Sequence, residues 1–317
     1  MFNLQAMSFL GKFTFDYPYA TIGKSLLIHA DCFGWMGRLP KSLVHGIVTD
    51  PPYGLKEFNV DQLEKRGNGN GGIWRIPPSF DGSKRQPLPR FTALNDDDRR
   101  QLFRFFREWG VLCGHALLPG GHVFIACNSY LCQLVYSALV DGGLEFRGQI
   151  IRVVRTLRGG DRPKNAENEF PGVCSLPRGN YEPWGIFRKP MPAGMKVSEC
   201  LKEFNTGGLR RLPEGLPFND LILSERTPKA ERDIANHPSV KPQSFLREVV
   251  YSILPLGKGI ILDPFMGSGS TIAAAEALGL TAIGIEKNQQ YYQTAKNSAS
   301  RLSRVKVARD QINFAFG

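Results

Sequence analysis

The chain has 317 residues, 42% of them hydrophobic and 22% charged, a composition typical of a globular protein with a sizeable core. No apolar run reaches the ~18 residues of a membrane-spanning helix, and the N-terminus lacks a secretion signal, so we expect a cytoplasmic protein with no membrane partner. The net charge of +11 favours a polyanionic partner, although charge alone does not distinguish a nucleic-acid-binding protein from a merely basic one.

Strand-like and helix-like segments alternate in the first half of the chain, which is typical of an α/β fold with a mostly parallel sheet. Residues 44–49 form a short β-branched run and predict a buried strand. Residues 96–115 predict a helix, because three aspartates suit its N-terminus and its apolar residues share one face. A strand over residues 122–127 and a helix over residues 130–140 follow in the same way.

Between residues 54 and 95 the pattern is irregular and includes the glycine-rich run 67–72. A long loop beside a strand end is usually functional, so we expect a mobile lid over about residues 55–95. The alternative is an insertion without a role.

The second half contains an irregular region of about residues 155–235, rich in Pro, Gly and Arg, between better-ordered segments. Two strands are predicted near it, over residues 149–154 and 184–187. Regular order returns with a predicted helix at 243–254, a strand at 259–262, a helix at 271–278, a strand at 281–285 and a helix at 289–302.

Residues 260–271 run from a buried strand through a glycine turn into a helix. The glycines allow close approach of the backbone to a small molecule, and the helix N-terminus offers free N–H groups. Glu286 ends the next strand, where a carboxylate can accept both hydroxyls of a ribose. This order predicts a nucleoside-binding unit. A phosphate loop is excluded, because no Gly-Lys-Ser/Thr follows the turn.

A second segment follows the strand 44–49 and consists of Asp50, Pro51, Pro52 and Tyr53. The two prolines stiffen the turn and remove backbone donors, which leaves carbonyl oxygens exposed. An exocyclic amino group needs acceptors to be drawn towards sp³ geometry, and the Asp50 carboxylate and Pro51 carbonyl provide them. Tyr53 offers a face on which an extruded base can stack. We predict that these four residues are catalytic; the alternative is a stiffened turn. Neither a metal nor a covalent nucleophile is implied.

With these two segments, the chain resembles the bacterial and phage DNA amino-methyltransferases, whose signatures are a (D/N/S)PP(Y/F) motif and a DPFxGSG motif. The catalytic motif comes first here and the cofactor motif last, an order similar to that of the β class. The resemblance implies a Rossmann-like, seven-stranded, mostly parallel sheet in circularly permuted motif order. It also implies S-adenosylmethionine as the cofactor.

Two further segments are carried over from the resemblance. Residues 237–242 are similar to the HP(T/S)xKP segment that lines the family's cofactor pocket. Asp31 matches an acidic position that contacts the adenine of the cofactor, although a surface aspartate explains it as well. The expected cofactor-binding residues are therefore Asp31, His237, Ser239, Lys241, Asp263, Pro264, Phe265, Gly267, Ser268, Gly269, Thr271 and Glu286.

The first residue of the catalytic motif bears on the target base. In this family Asp is usual for adenine N6 and Ser for cytosine N4, so Asp50 favours adenine in duplex DNA, reached by base flipping. Cytosine N4 methylation is the nearest alternative. Methylation of RNA or of a protein amide, and a DNA-binding protein with an inactive fold, are the others.

Residues 147–211 carry thirteen basic and six acidic side chains, and this excess of basic side chains accounts for most of the net positive charge of the chain. Arginines suit phosphate and guanine contacts. The resemblance places target recognition here, so we expect a catalytic half over residues 1–155, a target-recognition region over 156–235 and a cofactor-binding half over 236–317. A homodimer and a cognate restriction enzyme are further expectations from the family.

Overall fold

The structure is a computed structural model, and it describes residues 10–52, 95–154, 162–163, 165–175, 177–235, 237 and 239–307. Tyr53 and the expected lid at about residues 55–95 lie outside the described residues.

A single mixed sheet organises the described part of the chain. Its strands are β1 (Tyr19–Ile22), β2 (Ser25–His29), β3 (Val44–Thr49), β4 (Leu117–Ala126), β5 (Glu145–Val153), β6 (Tyr181–Arg188), β7 (Leu221–Leu223), β8 (Ile260–Asp263) and β9 (Thr281–Glu286). The helices are α1 (Cys32–Arg38), α2 (Asp96–Ala116), α3 (Cys132–Asp141), α4 (Val197–Phe204), α5 (Lys229–Ile234), α6 (Gln243–Ile253), α7 (Ser270–Ala277) and α8 (Gln289–Ser303).

The strand order is β1-β2-β9-β8-β3-β4-β6-β5-β7. Only β1 and β6 run against the other described strands, so the prediction of a mostly parallel sheet is confirmed. The described residues form nine strands rather than the seven that the resemblance implies. The difference lies at the edges, where β1 pairs antiparallel with β2 and the short β7 pairs parallel with β5.

Helices cover both faces of the sheet and each face has its own core. On one face the buried rings of Trp35, Phe106 and Trp109 lie among residues of α1, α2 and α3. On the other, Phe245 and Ile253 of α6 pack with residues of α7 and α8. Burial on both faces explains why the central strands read as continuous apolar runs.

The best-predicted helix is α2, which begins at the predicted residue and ends one residue later than predicted. Its start is fixed by a capping box, in which the Asn95 side chain accepts from the Asp98 amide (2.8 Å) and the Asp98 carboxylate from the Asn95 amide (3.2 Å).

Within the region 156–235, the prediction of irregular structure is only partly right. This region contains α4, β7 and α5, and β6 lies in the interior of the sheet between β4 and β5. Every helix of the described chain is too short or too polar to span a bilayer.

Candidate active site

Four acidic residues that the sequence singled out come to one edge of the sheet. Asp50 directly follows β3, Asp263 ends β8, Glu286 ends β9 and Asp31 lies two residues beyond β2. These four strands are parallel neighbours in the order β2-β9-β8-β3, so their carboxyl ends meet at the same edge. In open α/β sheets this edge is where ligands bind.

The glycine turn between β8 and α7 is held by Glu286. One oxygen of this carboxylate accepts from the Gly267 amide (2.9 Å) and the other from the Asn288 amide (2.7 Å). Burial raises the pKa of Glu286, while these backbone donors partly oppose the rise. Gly267 and Gly269 have φ angles of 52° and 82°, in the left-handed region that favours glycine.

Asp263 joins the end of β8 to the end of β3. Its Oδ1 accepts from the Thr49 hydroxyl (2.7 Å) and from the Phe265 amide (3.2 Å). Burial raises the pKa of Asp263 to about 7, although hydrogen bonds from Thr49 and Thr271 work in the opposite direction. The side chain therefore fixes the two strand ends relative to each other at the base of the site.

The Asp50 carboxylate is held by the segment that precedes α6. Its Oδ2 accepts from Lys241 Nζ at 2.5 Å and from the Ser239 hydroxyl at 2.7 Å. The sequence predicted Ser239 and Lys241 as cofactor-binding residues, whereas the geometry joins both of them to the catalytic candidate. Two donors on one oxygen restrict the rotation of this carboxylate.

His237 lies on the cofactor side of the same segment. Its ring makes an edge contact with Tyr291, with ring centroids 4.4 Å apart, and Ser239 donates its amide to Nδ1 (3.1 Å). A Cβ atom added at Gly267 would lie 3.2 Å from this ring. Burial lowers the pKa of His237 to about 4, despite the nearby Asp50 carboxylate, so the imidazole is neutral at pH 7.

Lys241 has a second carboxylate partner that the sequence did not identify as part of the site. Its Nζ lies 3.2 Å from Glu182 Oε1, and the other Glu182 oxygen binds Arg152 Nη1 (2.8 Å) and Trp184 Nε1 (3.1 Å). The position of Glu182 beside Arg152 depends on the pairing of β5 with β6, for which the sequence carries no signal.

A pocket opens between these groups. Nine predicted site residues line it, together with Trp184, Leu246, Met266 and Ser270; the predicted nine are Asp50, His237, Ser239, Lys241, Asp263, Phe265, Gly267, Ser268 and Thr271. Pro51, Pro264, Gly269 and Glu286 lie next to lining residues in the chain or in contact with them, and Pro52 directly follows Pro51.

Asp31 is placed differently from the other predicted residues. Its carboxylate caps α1, with Oδ1 accepting from the amides of Phe33 (3.0 Å) and Gly34 (3.3 Å), and Oδ2 lies 3.0 Å from Lys287 Nζ. It does not line the pocket described above. The contact with adenine therefore stays a prediction, and the observed role of Asp31 is to fix the start of α1.

The geometry agrees with a family match. A family model described as DNA methylase, of the N6/N4 methyltransferase type, matches residues 44–297 and so covers both the strand before Asp50 and the glycine turn. The chain belongs to this family of DNA methylases.

Individual relatives are distant in sequence but match most of the chain. The type II methyltransferase M2.DpnII of Streptococcus pneumoniae is 25% identical over 280 residues, 88% of this chain and 91% of the relative. The crystal structure of the M1.HpyAVI–SAM complex is 19% identical, with a TM-score of 0.52 over 88% of this chain and 98% of that chain. The PvuII DNA methyltransferase, described as cytosine-N4-specific, is 12% identical with a TM-score of 0.54, over 89% and 86% of the two chains.

Proposed function

We propose that the protein transfers a methyl group from S-adenosylmethionine to the N6 amino group of adenine in duplex DNA, at a specific sequence. The observation that carries this proposal is the Asp50 carboxylate at the end of β3, fixed by Lys241 and Ser239 on the wall of a pocket that the glycine turn completes. Membership of the DNA methylase family supports the reaction class.

The residues of the pocket fit the proposed cofactor. The left-handed Gly267 leaves the space beside His237 that a side chain would fill, and the half-buried Glu286 carboxylate is an acceptor suited to a ribose diol. The M1.HpyAVI neighbour was solved with this ligand, which agrees with the assignment. We assign the predicted cofactor residues around the turn, from Asp263 to Thr271 with Glu286 and His237, to holding it. When bound, S-adenosylmethionine supplies a methyl group that is already activated.

The protein's part in the reaction is to orient the target amino group. The Asp50 carboxylate and the Pro51 carbonyl accept its two hydrogens, which turns the nitrogen lone pair away from the acceptors. The carboxylate also stabilises the positive charge that develops on the nitrogen as the new N–C bond forms. Loss of one proton from that nitrogen then restores the neutral amine. We assign Tyr53 to stacking on the flipped base.

The choice of adenine rests on Asp50 and on the family pattern at this position. The fold does not decide it, since the cytosine-N4-specific PvuII enzyme has the same fold. Cytosine N4 is therefore the alternative target, and RNA or a protein amide is the alternative substrate class.

The test is to identify the product and remove the proposed acceptor. Duplex DNA treated with protein and cofactor is digested to nucleosides, and mass spectrometry is expected to find N6-methyladenine. An equal amount of RNA, treated in the same way, is expected to stay unmodified. Asp50→Ala should lower turnover at least about 1,000-fold, because the acceptor acts mainly in the transition state, while calorimetry finds cofactor affinity nearly unchanged.

The matched control for that substitution is Asp141→Ala, which removes an exposed aspartate paired with Arg107 far from the pocket. It should keep wild-type turnover. An Asp50→Ala protein with near-normal turnover, or a product other than N6-methyladenine, would refute the proposal in its present form.

Duplex DNA is the proposed partner, and we assign its recognition to residues 156–235 between the catalytic and cofactor-binding halves. A homodimer, a cognate restriction enzyme and a cytoplasmic location stay predictions from the family resemblance. Sedimentation of the purified protein at micromolar concentration tests the homodimer directly.

A further inference from the structure

Four charged side chains contact one another in a line that starts at Asp50, directly after β3, and ends at Arg152 on β5. Asp50 Oδ2 contacts Lys241 Nζ (2.5 Å), which contacts Glu182 Oε1 (3.2 Å), and Glu182 Oε2 contacts Arg152 Nη1 (2.8 Å). The side chains are largely buried, with exposed fractions of 17% for Asp50, 12% for Lys241, 20% for Glu182 and 6% for Arg152. Acids and bases alternate, so the line carries no net charge.

Lys241 is shared between the two carboxylates. Its Nζ has three oxygen atoms within 3.2 Å, from Asp50, Glu182 and Ser239, which matches the three hydrogens of an ammonium group. Burial alone would lower the pKa of Lys241, but the two carboxylates outweigh it and raise the pKa above its ordinary value. Lys241 is therefore a fixed cation whose attraction is divided between the two carboxylates.

Glu182 is held more firmly than the other members of the line. Trp184 donates its indole N–H to Glu182 Oε2, and Arg152 is itself anchored by the Ser224 hydroxyl (3.0 Å) and the Glu225 carbonyl (2.9 Å). Burial alone would raise the pKa of Glu182, but Lys241 and Arg152 lower it to about 2, so this carboxylate stays ionised. Its anchors lie on β5, on β6 and just beyond β7, three adjacent parts of the sheet.

We propose that Glu182 is a positioning residue for methyl transfer, acting through Lys241 on the Asp50 carboxylate. The inference rests on the proposed function, in which Asp50 accepts the hydrogens of the target amino group. Glu182 attracts the Lys241 ammonium and so weakens the interaction of Lys241 with Asp50. It also fixes the position of the ammonium group. Asp50 thereby keeps both its orientation and its strength as an acceptor.

The electrostatic consequence of removing Glu182 follows from this sharing. With a neutral side chain at residue 182, the Lys241 ammonium interacts more strongly with Asp50. The net charge of the four-residue line also rises by one, close to the nitrogen that becomes cationic in the transition state. A single uncompensated charge at this range in a protein interior changes a rate by roughly 10- to 100-fold. Cofactor affinity should hardly change, because among the described residues the hydrogen bonds and ion pairs of Glu182 go to Lys241, Arg152 and Trp184 and not to the glycine turn or Glu286.

The first experiment compares Glu182→Gln with wild type in steady-state methylation at saturating DNA and cofactor. We expect kcat to fall about 10- to 100-fold, while the cofactor Kd from calorimetry changes less than about threefold. Glu182→Asp, which restores the charge, should recover part of the lost rate.

The matched control is Glu145→Gln. Glu145 begins β5 and forms an ion pair with a largely buried arginine, Arg188 (2.6 Å), which lies at the end of β6 opposite to Glu182. Its replacement should leave kcat within about twofold of wild type, whatever it does to the melting temperature.

A double-mutant cycle tests whether Glu182 acts through Lys241. In a Lys241→Met background, Glu182→Gln should change kcat by less than about twofold, because the intermediary is already gone. An equal loss in both backgrounds would overturn the proposal, as would a Glu182→Gln enzyme with wild-type kcat or a cofactor affinity that falls as much as the rate. If Glu182→Gln does not fold, Lys241→Met alone decides, and an unchanged kcat in it refutes the inference.

The outcomes separate this inference from the proposed function. If wild-type protein methylates no DNA, or Asp50→Ala retains turnover, the proposed function fails first. If wild type is active, Asp50→Ala is inactive and Glu182→Gln is fully active, only the positioning role of Glu182 is wrong.

Discussion

Gly267 shows how one residue shapes the cofactor side of the site. Its φ of 52° disfavours any residue with a side chain by about 1–2 kcal/mol, and an added Cβ would press on the His237 ring at 3.2 Å. Gly267→Ala should therefore weaken S-adenosylmethionine binding by about tenfold, since the histidine must move out of its place on the pocket wall. Isothermal calorimetry measures the change.

Gly279 supplies the control for that substitution. It has a φ of 70°, so alanine strains the backbone in the same way, but among the described residues beyond its two chain neighbours no atom lies within 4 Å of the added Cβ. Gly279→Ala should lower the free energy of unfolding by about 1 kcal/mol and leave the cofactor Kd within about twofold. Equal losses of affinity in both variants would mean that general destabilisation, and not the pocket wall, is responsible.

Single residues were predictable from the sequence where their position follows from a strand end. Asp50, Asp263 and Glu286 each follow or end a recognisable apolar strand, and parallel strands bring their carboxyl ends together. Glu182 and Arg152 were missed because their contact depends on which strands are neighbours. The cofactor contact of Asp31 stays a prediction, and the motif match alone did not reveal that its carboxylate caps a helix.

At the scale of elements, α6 carries an ionisable group on a mostly apolar helix. Glu248 is partly buried, and within the described residues its Oε1 has no hydrogen-bond partner. Burial raises the pKa of Glu248 to about 7, above its ordinary value of 4.5. The folded protein thus holds this proton more tightly than the unfolded chain, and the resulting stabilisation is lost as pH rises through about 7.

Glu248→Gln removes that dependence. At about pH 5, where the wild-type carboxyl is protonated, the variant should be about as stable as wild type. At about pH 8 its free energy of unfolding should exceed that of wild type by roughly 1–3 kcal/mol. Thermal denaturation at both pH values measures the difference. Glu108→Gln on the exposed face of α2 is the control, and its stability difference from wild type should be the same at the two pH values. If the stability difference between Glu248→Gln and wild type does not grow with pH, the expected role of Glu248 is wrong.

Long elements with a clear apolar period were predictable and short ones were not. The capping residues and one-sided apolar pattern of α2 set its bounds to within a residue, whereas α4, β7 and α5 have eight residues or fewer. Their positions are set by packing against the sheet, as when β7 pairs with only three residues of β5. Propensity carries little information over such lengths.

At the scale of the molecule, only some of the basic side chains in the basic region, residues 147–211, are exposed. Arg152 and Arg188 lie in ion pairs with Glu182 and Glu145, and Lys189 donates to the Leu117 carbonyl at the start of β4. Among the described residues of this region, the exposed basic side chains are Arg147, Arg162, Lys196, Lys202 and Arg211.

Affinity for duplex DNA should fall steeply with salt, because each neutralised phosphate releases condensed counterions. We expect at least about a tenfold loss between about 50 and 200 mM salt in fluorescence anisotropy with a labelled duplex. Arg211→Ala should reduce the slope, whereas Arg107→Ala, which removes an exposed arginine outside residues 156–235 that is paired with Asp141, should not. A flat salt dependence would argue against a phosphate-binding surface.

The interior position of β6 sets a limit on exchanging specificity between relatives. Residues 156–235 are the part we assign to reading DNA, yet β6 within them is hydrogen-bonded to β4 on one side and β5 on the other. A chimera that replaced the whole region would thus import a foreign central strand and break the register of the host sheet. A graft confined to residues 189–220 leaves β6 and β7 native, so the stretch between these strands that can be exchanged without altering the sheet is about two-fifths of the length of residues 156–235.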